Sequence, residues 1–114
     1  MHEISIAEEI IEIVSGYLPQ AKNISVKSVM INLGKFSNIM PEALKFGFEV
    51  LINDTKLNGA TLNINKIPLT IRCNNCGTES ELDEPFFYCP NCESGSVEIL
   101  TGMEMNVIEI ELND

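Results

Sequence analysis

The sequence predicts an α+β fold: a small sheet of about three strands with two helices on one face, plus an inserted four-cysteine zinc-ribbon module. Three observations predict it. Two segments carry apolar residues at helical spacing, and three carry β-branched residues in rough alternation. Two C-x2-C pairs, twelve residues apart, stand between the second and third of those strands.

The first helix has Ser5 followed by Glu8, a capping box in which each side chain satisfies an orphan backbone N–H. Ile6, Ala7, Ile10, Ile11, Ile13, Val14, Tyr17 and Leu18 make its apolar face, with Glu8, Glu9, Glu12 and Ser15 opposite. Gly16 and Pro19 end it. Residues 24–33 form a strand, and a loop follows to Met40. Pro41 suits the first position of a second helix because its missing N–H is not needed there. Glu42 in the first turn favours the helix dipole. Ala43, Leu44, Phe46, Phe48, Val50, Leu51 and Ile52 then give an apolar face that ends near Asn53 and Asp54. The next strand alternates from Leu62 through Ile64, with Pro68 marking an edge or a bend. In the last, Ile108, Ile110 and Leu112 alternate with Glu109 and Glu111, and the phase slips at Val107–Ile108 as at a β-bulge. This strand returns to the sheet after the cysteine segment and anchors it at both ends. The expected domains are 1–67 with 103–114, and 68–102.

The chain has 114 residues, 17 acidic and 7 basic, a formal charge of −10. Residues 1–67 carry only −1 of this, whereas 68–102 carry −5, with Arg72 as the single base. Phosphate-backbone binding depends on clustered Lys and Arg, so nucleic acid is not an expected partner. Cations, or proteins with a basic face, are. No run of 18 apolar residues offers a membrane span, and the acidic N-terminus lacks the basic start of a secretory signal. A cytoplasmic location is expected.

Cys73-Asn-Asn-Cys76-Gly77 and Cys89-Pro90-Asn91-Cys92 each point two sulfurs at one place, together supplying four thiolates for a tetrahedral ion. Four soft thiolates without an imidazole suit zinc, or iron in a rubredoxin-like site. Four ligands close the shell, so the site is expected to be structural. Two disulfides or free thiols are the competing reading, disfavoured in a cytosolic chain. A redox C-x-x-C is disfavoured because neither pair opens a helix. Phe86, Phe87 and Tyr88 resemble a stacking platform, but filling the interior of so small a ribbon is the expected role. Acid pairs such as Glu8–Glu9 and Asp83–Glu84 read as solvated faces, and no catalytic constellation is present.

The one histidine is His2. A histidine so near an end is ordinarily part of a frayed terminus. Its chemistry offers more: the Met1 amine, the His2 backbone nitrogen and the His2 imidazole can chelate one metal through a five- and a six-membered ring. Nitrogen donors in a plane suit Ni(II) or Cu(II), and Glu3 can complete the coordination.

The opening Met1-His2-Glu3-Ile4-Ser5, the run Pro41-Glu42-Ala43-Leu44-Lys45-Phe46 with Phe48-Glu49, Gly59-Ala60-Thr61-Leu62, Ile67-Pro68 and the two C-x2-C pairs come in a telling order. In this the chain resembles the HypA/HybF family of hydrogenase nickel-insertion proteins over nearly its whole length. The resemblance implies a nickel site at Met1, His2 and Glu3, and a structural Zn2+ at Cys73, Cys76, Cys89 and Cys92. It implies a nickel metallochaperone, not an enzyme, that delivers Ni2+ during nickel–iron hydrogenase maturation. The implied partners are the nickel-handling GTPase HypB and the hydrogenase large subunit or its maturation complex, and some members also serve urease. Glu93 follows the last cysteine where members often have Gly, which leaves room for a differently shaped second knuckle. Some members recruit an acidic side chain before the second helix as a further nickel ligand. Here Glu42 can serve, whereas Met40 is expected in the core. The alternatives are a zinc-ribbon protein-interaction adaptor without nickel function and an iron–thiolate electron carrier.

Overall fold

The computed structural model describes residues 3–18, 24–84 and 86–113. In chain order its elements are α1 (Glu3–Tyr17), β1 (Val26–Gly34), α2 (Pro41–Leu51), β2 (Thr61–Ile67), β3 (Leu69–Cys73), β4 (Glu79–Leu82), β5 (Val97–Thr101) and β6 (Met105–Leu112). The strands form two three-stranded sheets, ordered β2-β1-β6 and β4-β3-β5. By its contacts the chain divides into one unit of Met1–Asn32, Asn38–Asn65 and Asn106–Asp114, and another of Leu33–Ser37 and Lys66–Met105.

In the first unit β1 is the central strand because the last strand returns beside it: Asn113 N–H donates to the Ser25 carbonyl at 3.1 Å. Val29 and Ile31 point into the core, while Ser28 and Asn32 on the opposite face bond to Glu111 and Asn65. The two faces of β1 thus have opposite chemistry, as a half-buried strand requires. The core is completed by Ile6, Ala7, Ile10 and Val14 of α1, Leu44 and Phe48 of α2, and Ile52, Leu57, Ala60 and Leu62. Full burial of side chains the size of Phe48 or Ile10 contributes roughly 1.5–3 kcal/mol each.

In the second unit β3 pairs antiparallel with β4, Arg72 opposite Glu79, and with β5, Arg72 opposite Glu98. The Arg72 guanidinium reaches both carboxylates, at 3.2 and 3.3 Å. The pairs are exposed, so each is worth at most about 1 kcal/mol and serves mainly to fix register. The interior is small: Leu69, Ile71, Cys73, Cys89 and Leu33.

Both C-x2-C segments form the same knuckle. Gly77 N–H bonds to the Cys73 carbonyl and Cys73 N–H to the Thr78 carbonyl, each at 2.9 Å. Glu93 N–H bonds to the Cys89 carbonyl and Cys89 N–H to the Ser94 carbonyl, each at 2.8 Å. Gly77 has φ +79° and Glu93 φ +65°, so Glu93 occupies the left-handed position that favours glycine. The second knuckle therefore keeps the shape of the first, and the strain falls on Glu93 instead.

The same unit contains a backbone crossing without room for side chains. A Cβ on Gly34 would lie 2.1 Å from the Gly102 carbonyl group, and one on Gly102, at φ +116°, 2.6 Å from Leu69 Cα. Gly34 N–H bonds to the Glu104 carbonyl at 2.8 Å, Lys35 N–H to the Ile67 carbonyl at 2.8 Å and Phe36 N–H to the Gly102 carbonyl at 2.9 Å.

Several expectations are corrected. α1 starts at Glu3, so Ser5 lies inside the helix and does not cap it, while Pro19 falls outside the described residues. Tyr17 is exposed because α1 buries the narrower stripe Ile6, Ala7, Ile10 and Val14, and Phe46 and Val50 are exposed because α2 buries Leu44, Gly47 and Phe48. Met40 is 66% exposed, not core: it precedes the first turn of α2, outside the buried stripe. Ile108 and Leu112 are exposed, and Met105, Val107 and Ile110 are the half-buried members of β6. Phe86, Phe87 and Tyr88 do not fill the ribbon. A tight turn, with Tyr88 N–H on the Phe86 carbonyl at 2.9 Å, leaves all three rings exposed.

Gly34→Ala is expected to cost about 3 kcal/mol or more, the range of an overpacked backbone contact, whereas Gly16→Ala, with open space at its Cβ, is neutral or stabilising by up to about 1 kcal/mol. Denaturant unfolding of the two variants checks this contrast. Glu93→Gly is expected to stabilise the chain by about 1 kcal/mol, and Gly77→Ala to destabilise it by a similar amount, measured the same way.

Candidate metal centres

The two knuckles bring the sulfurs of Cys73, Cys76, Cys89 and Cys92 together, all within 4.8 Å of one another. Cys73 Sγ lies 3.5 Å from Cys92 Sγ, and Cys76 Sγ 3.7 Å from Cys89 Sγ. A tetrahedral ion with metal–sulfur bonds of about 2.3 Å needs sulfur–sulfur edges of about 3.8 Å. A disulfide needs about 2.05 Å, so all four are free thiols with the spacing of a metal site. Among the described residues, this is the one group of three or more His, Cys, Asp or Glu ligand atoms gathered closely enough to hold an ion.

The local backbone prepares the sulfurs for negative charge. Cys73 Sγ accepts N–H bonds from Asn75 at 3.3 Å and Cys76 at 3.4 Å, and Cys89 Sγ accepts one from Asn91 at 3.4 Å. The Cys76 and Asn75 amides lower the Cys73 thiol against the opposing effect of burial. Cys76 falls to about 5, chiefly through the Thr78 hydroxyl and backbone, then the Asn91 side-chain amide at 3.6 Å. At Cys92 the Ser94 amide favours the thiolate, but the neighbouring Cys73 sulfur and desolvation outweigh it and push the thiol up to about 11. One sulfur is thus ready to ionise and another resists, because four anions cannot share so small a space without a cation. A divalent ion bound there would supply the missing positive charge, and the four thiolates would close its coordination shell. Thr78 and Asn91 were not singled out from the sequence. The position of Asn91 between the cysteines of the second pair is the one signal that could have found it.

At the other candidate site, Met1 and His2 lie outside the described residues. Glu3 opens α1, and its carboxylate Oε2 accepts the Met40 N–H at 2.9 Å. Met40 is the residue that caps α2, but its thioether makes no cap bond, and Pro41 follows at the first helical position. Glu3 therefore provides from α1 the acceptor that the N-terminus of α2 lacks, and places its negative charge where the helix dipole favours it. The helices approach closely here: a Cβ on Gly47 would lie 2.8 Å from Ile4 Cδ1. Glu42, the further candidate ligand, is exposed in the first turn of α2, two residues beyond the N–H that Glu3 accepts. The tie between Glu3 and Met40 could not be read from spacing, since it joins residues 37 positions apart.

The family described as hydrogenase/urease nickel incorporation, metallochaperone, hypA matches residues 1–112. A hydrogenase maturation factor HypA of Desulfosudis oleivorans is 41% identical over 115 residues, covering 100% of both chains. Its counterpart from Nostoc punctiforme is 42% identical over 114 residues, covering 100% of this chain and 97% of its own. The solution structure of the nickel metallochaperone HypA from Helicobacter pylori shares the fold at a TM-score of 0.72 and 21% identity, covering 98% of this chain and 97% of that one. A second solution structure of a HypA protein gives 0.74 at 21% identity, over 99% and 97%. With a match along almost the whole sequence and relatives near 40% identity end to end, the chain belongs to the HypA family of hydrogenase/urease nickel-incorporation metallochaperones.

Proposed function

We propose that this chain takes up Ni(II) at its N-terminus through Met1, His2 and Glu3 and hands it on for nickel–iron hydrogenase maturation. Zn2+ held by Cys73, Cys76, Cys89 and Cys92 maintains the ribbon in the same reading. Family membership over residues 1–112 carries it. Two physical arguments support it. The terminal amine, the His2 nitrogens and a carboxylate form a compact donor set for Ni(II). The closed four-sulfur shell suits a resident ion, whereas a cargo ion needs ligands that can be exchanged. Glu42 is a candidate further ligand on the first turn of α2.

The chain works by ligand exchange with a partner and not by catalysis. HypB, the nickel-handling GTPase, is the proposed partner, with the hydrogenase large subunit or its maturation complex as recipient, in the cytoplasm. No described helix is long and apolar enough to cross a membrane. The balance of −5 over residues 68–102 suits a protein partner with a basic face and opposes nucleic acid.

Nickel titration of tagless protein tests the cargo site. Wild type is expected to bind about one Ni(II) per chain, and His2→Ala to lose this while zinc content is unchanged; an unaltered nickel affinity in His2→Ala overturns the assignment, and zinc alone without nickel uptake favours an interaction adaptor. In the metal-free, reduced protein, alkylation followed by peptide mapping is expected to modify Cys76 first at pH 7. Its lowered thiol stays ionised until the pH falls through about 5, whereas Cys92, raised to about 11, remains protonated and reacts slowly.

A further inference from the structure

The exposed aromatic run of the ribbon borders a groove of about 280 Å³ lined by Leu82, Asp83, Glu84, Phe86, Tyr88 and Pro90. Phe86 is 61% and Tyr88 49% exposed, an unusual display of aromatic surface in a unit that has so little interior. Tyr88 and Pro90 flank Cys89, whose buried sulfur belongs to the four-thiolate cluster, and Tyr88 N–H is bonded to the Phe86 carbonyl at 2.9 Å. Apolar rings stand beside two exposed carboxylates, Asp83 and Glu84.

Charge selects the occupant. A phosphate backbone or an anionic lipid surface is repelled by a segment whose balance is −5. A second copy is disfavoured by the net charge of −10, and the ribbon's own Arg72 is already engaged by Glu79 and Glu98. What fits rings edged by carboxylates is a cation on an apolar stem. The planar guanidinium of arginine stacks on an aromatic face while its N–H groups bond to carboxylates, and its methylenes cover the rest of the ring.

We propose that this groove is a docking site for an arginine-bearing basic segment of a partner protein, with Phe86 and Tyr88 stacking on the guanidinium and Asp83 and Glu84 neutralising it. It goes beyond the metal-delivery reading and does not depend on which ion the N-terminus carries.

The test uses the full zinc-loaded chain, isotopically labelled, titrated with a short peptide of arginines set between leucines and with its citrulline counterpart. Amide shifts are expected to concentrate in residues 82–90 and to be lost with citrulline, which keeps the shape but not the charge. Phe86→Leu and Tyr88→Leu keep apolar bulk, and each is expected to weaken binding about threefold, the scale of an exposed cation–π contact. Asp83→Asn with Glu84→Gln is expected to weaken it at least as much, with zinc content unchanged throughout. Equal binding of the citrulline peptide, shifts centred outside 82–90, self-association abolished by Tyr88→Leu, or the same shifts on adding an oligonucleotide would each overturn the proposal.

Discussion

The second unit depends on four sulfur atoms being brought within 4.8 Å of one another. Its apolar interior amounts to little beyond Leu33, Leu69 and Ile71, and two of the remaining buried positions are themselves cysteines. A module of this size cannot be held by hydrophobic burial alone and needs a covalent or metal staple. The backbone is arranged to serve that need. The same two hydrogen bonds recur in both knuckles, amide N–H groups point at Cys73 and Cys89, and Thr78 and Asn91 draw Cys76 toward its thiolate. The resistance of Cys92 to ionisation marks the limit of what polar groups can offset without a cation.

The first unit solves a different problem by conventional means. Its core joins one face of β1 to the buried stripes of two helices, and the opposite face of the strand is finished with Ser28 and Asn32. Within this ordinary packing, the contact between Glu3 and the Met40 amide is unusual because it sets a carboxylate at two helix starts at once. The dipole of α2 favours a negative charge at that position.

Much of this was legible in the sequence because the signals were local. The C-x2-C spacing announced the sulfur cluster, Pro41 marked the start of α2, and the alternation in residues 24–33 marked β1. The corrected apolar positions share one cause: an apolar side chain need not be a buried one. Phe46 and Val50 sit on an amphipathic pattern wide enough to admit two faces, and only Leu44, Gly47 and Phe48 were used. Phe86, Phe87 and Tyr88 looked like filling for a small ribbon, but the sulfurs and β3 already occupy that space. Ser5 and Glu8 have the spacing of a capping box, yet the helix begins earlier, at Glu3. Long-range effects such as the Glu3–Met40 bond and the Gly34–Gly102 crossing leave no periodic trace in the chain.

The glycine crossing bears on how freely such a ribbon can be exchanged between proteins. The stretch Leu33–Ser37 lies far upstream in sequence, yet it contributes the backbone on which Gly102 rests and three main-chain hydrogen bonds, to Ile67, Gly102 and Glu104. A cassette cut at residues 66 and 105 would leave those carbonyls without their main-chain partners. The cysteine segment reads as a portable insert, but the compact unit that contains it is discontinuous in sequence. Recombination that moves the ribbon without the end of β1 transfers the ligands and leaves part of their support behind.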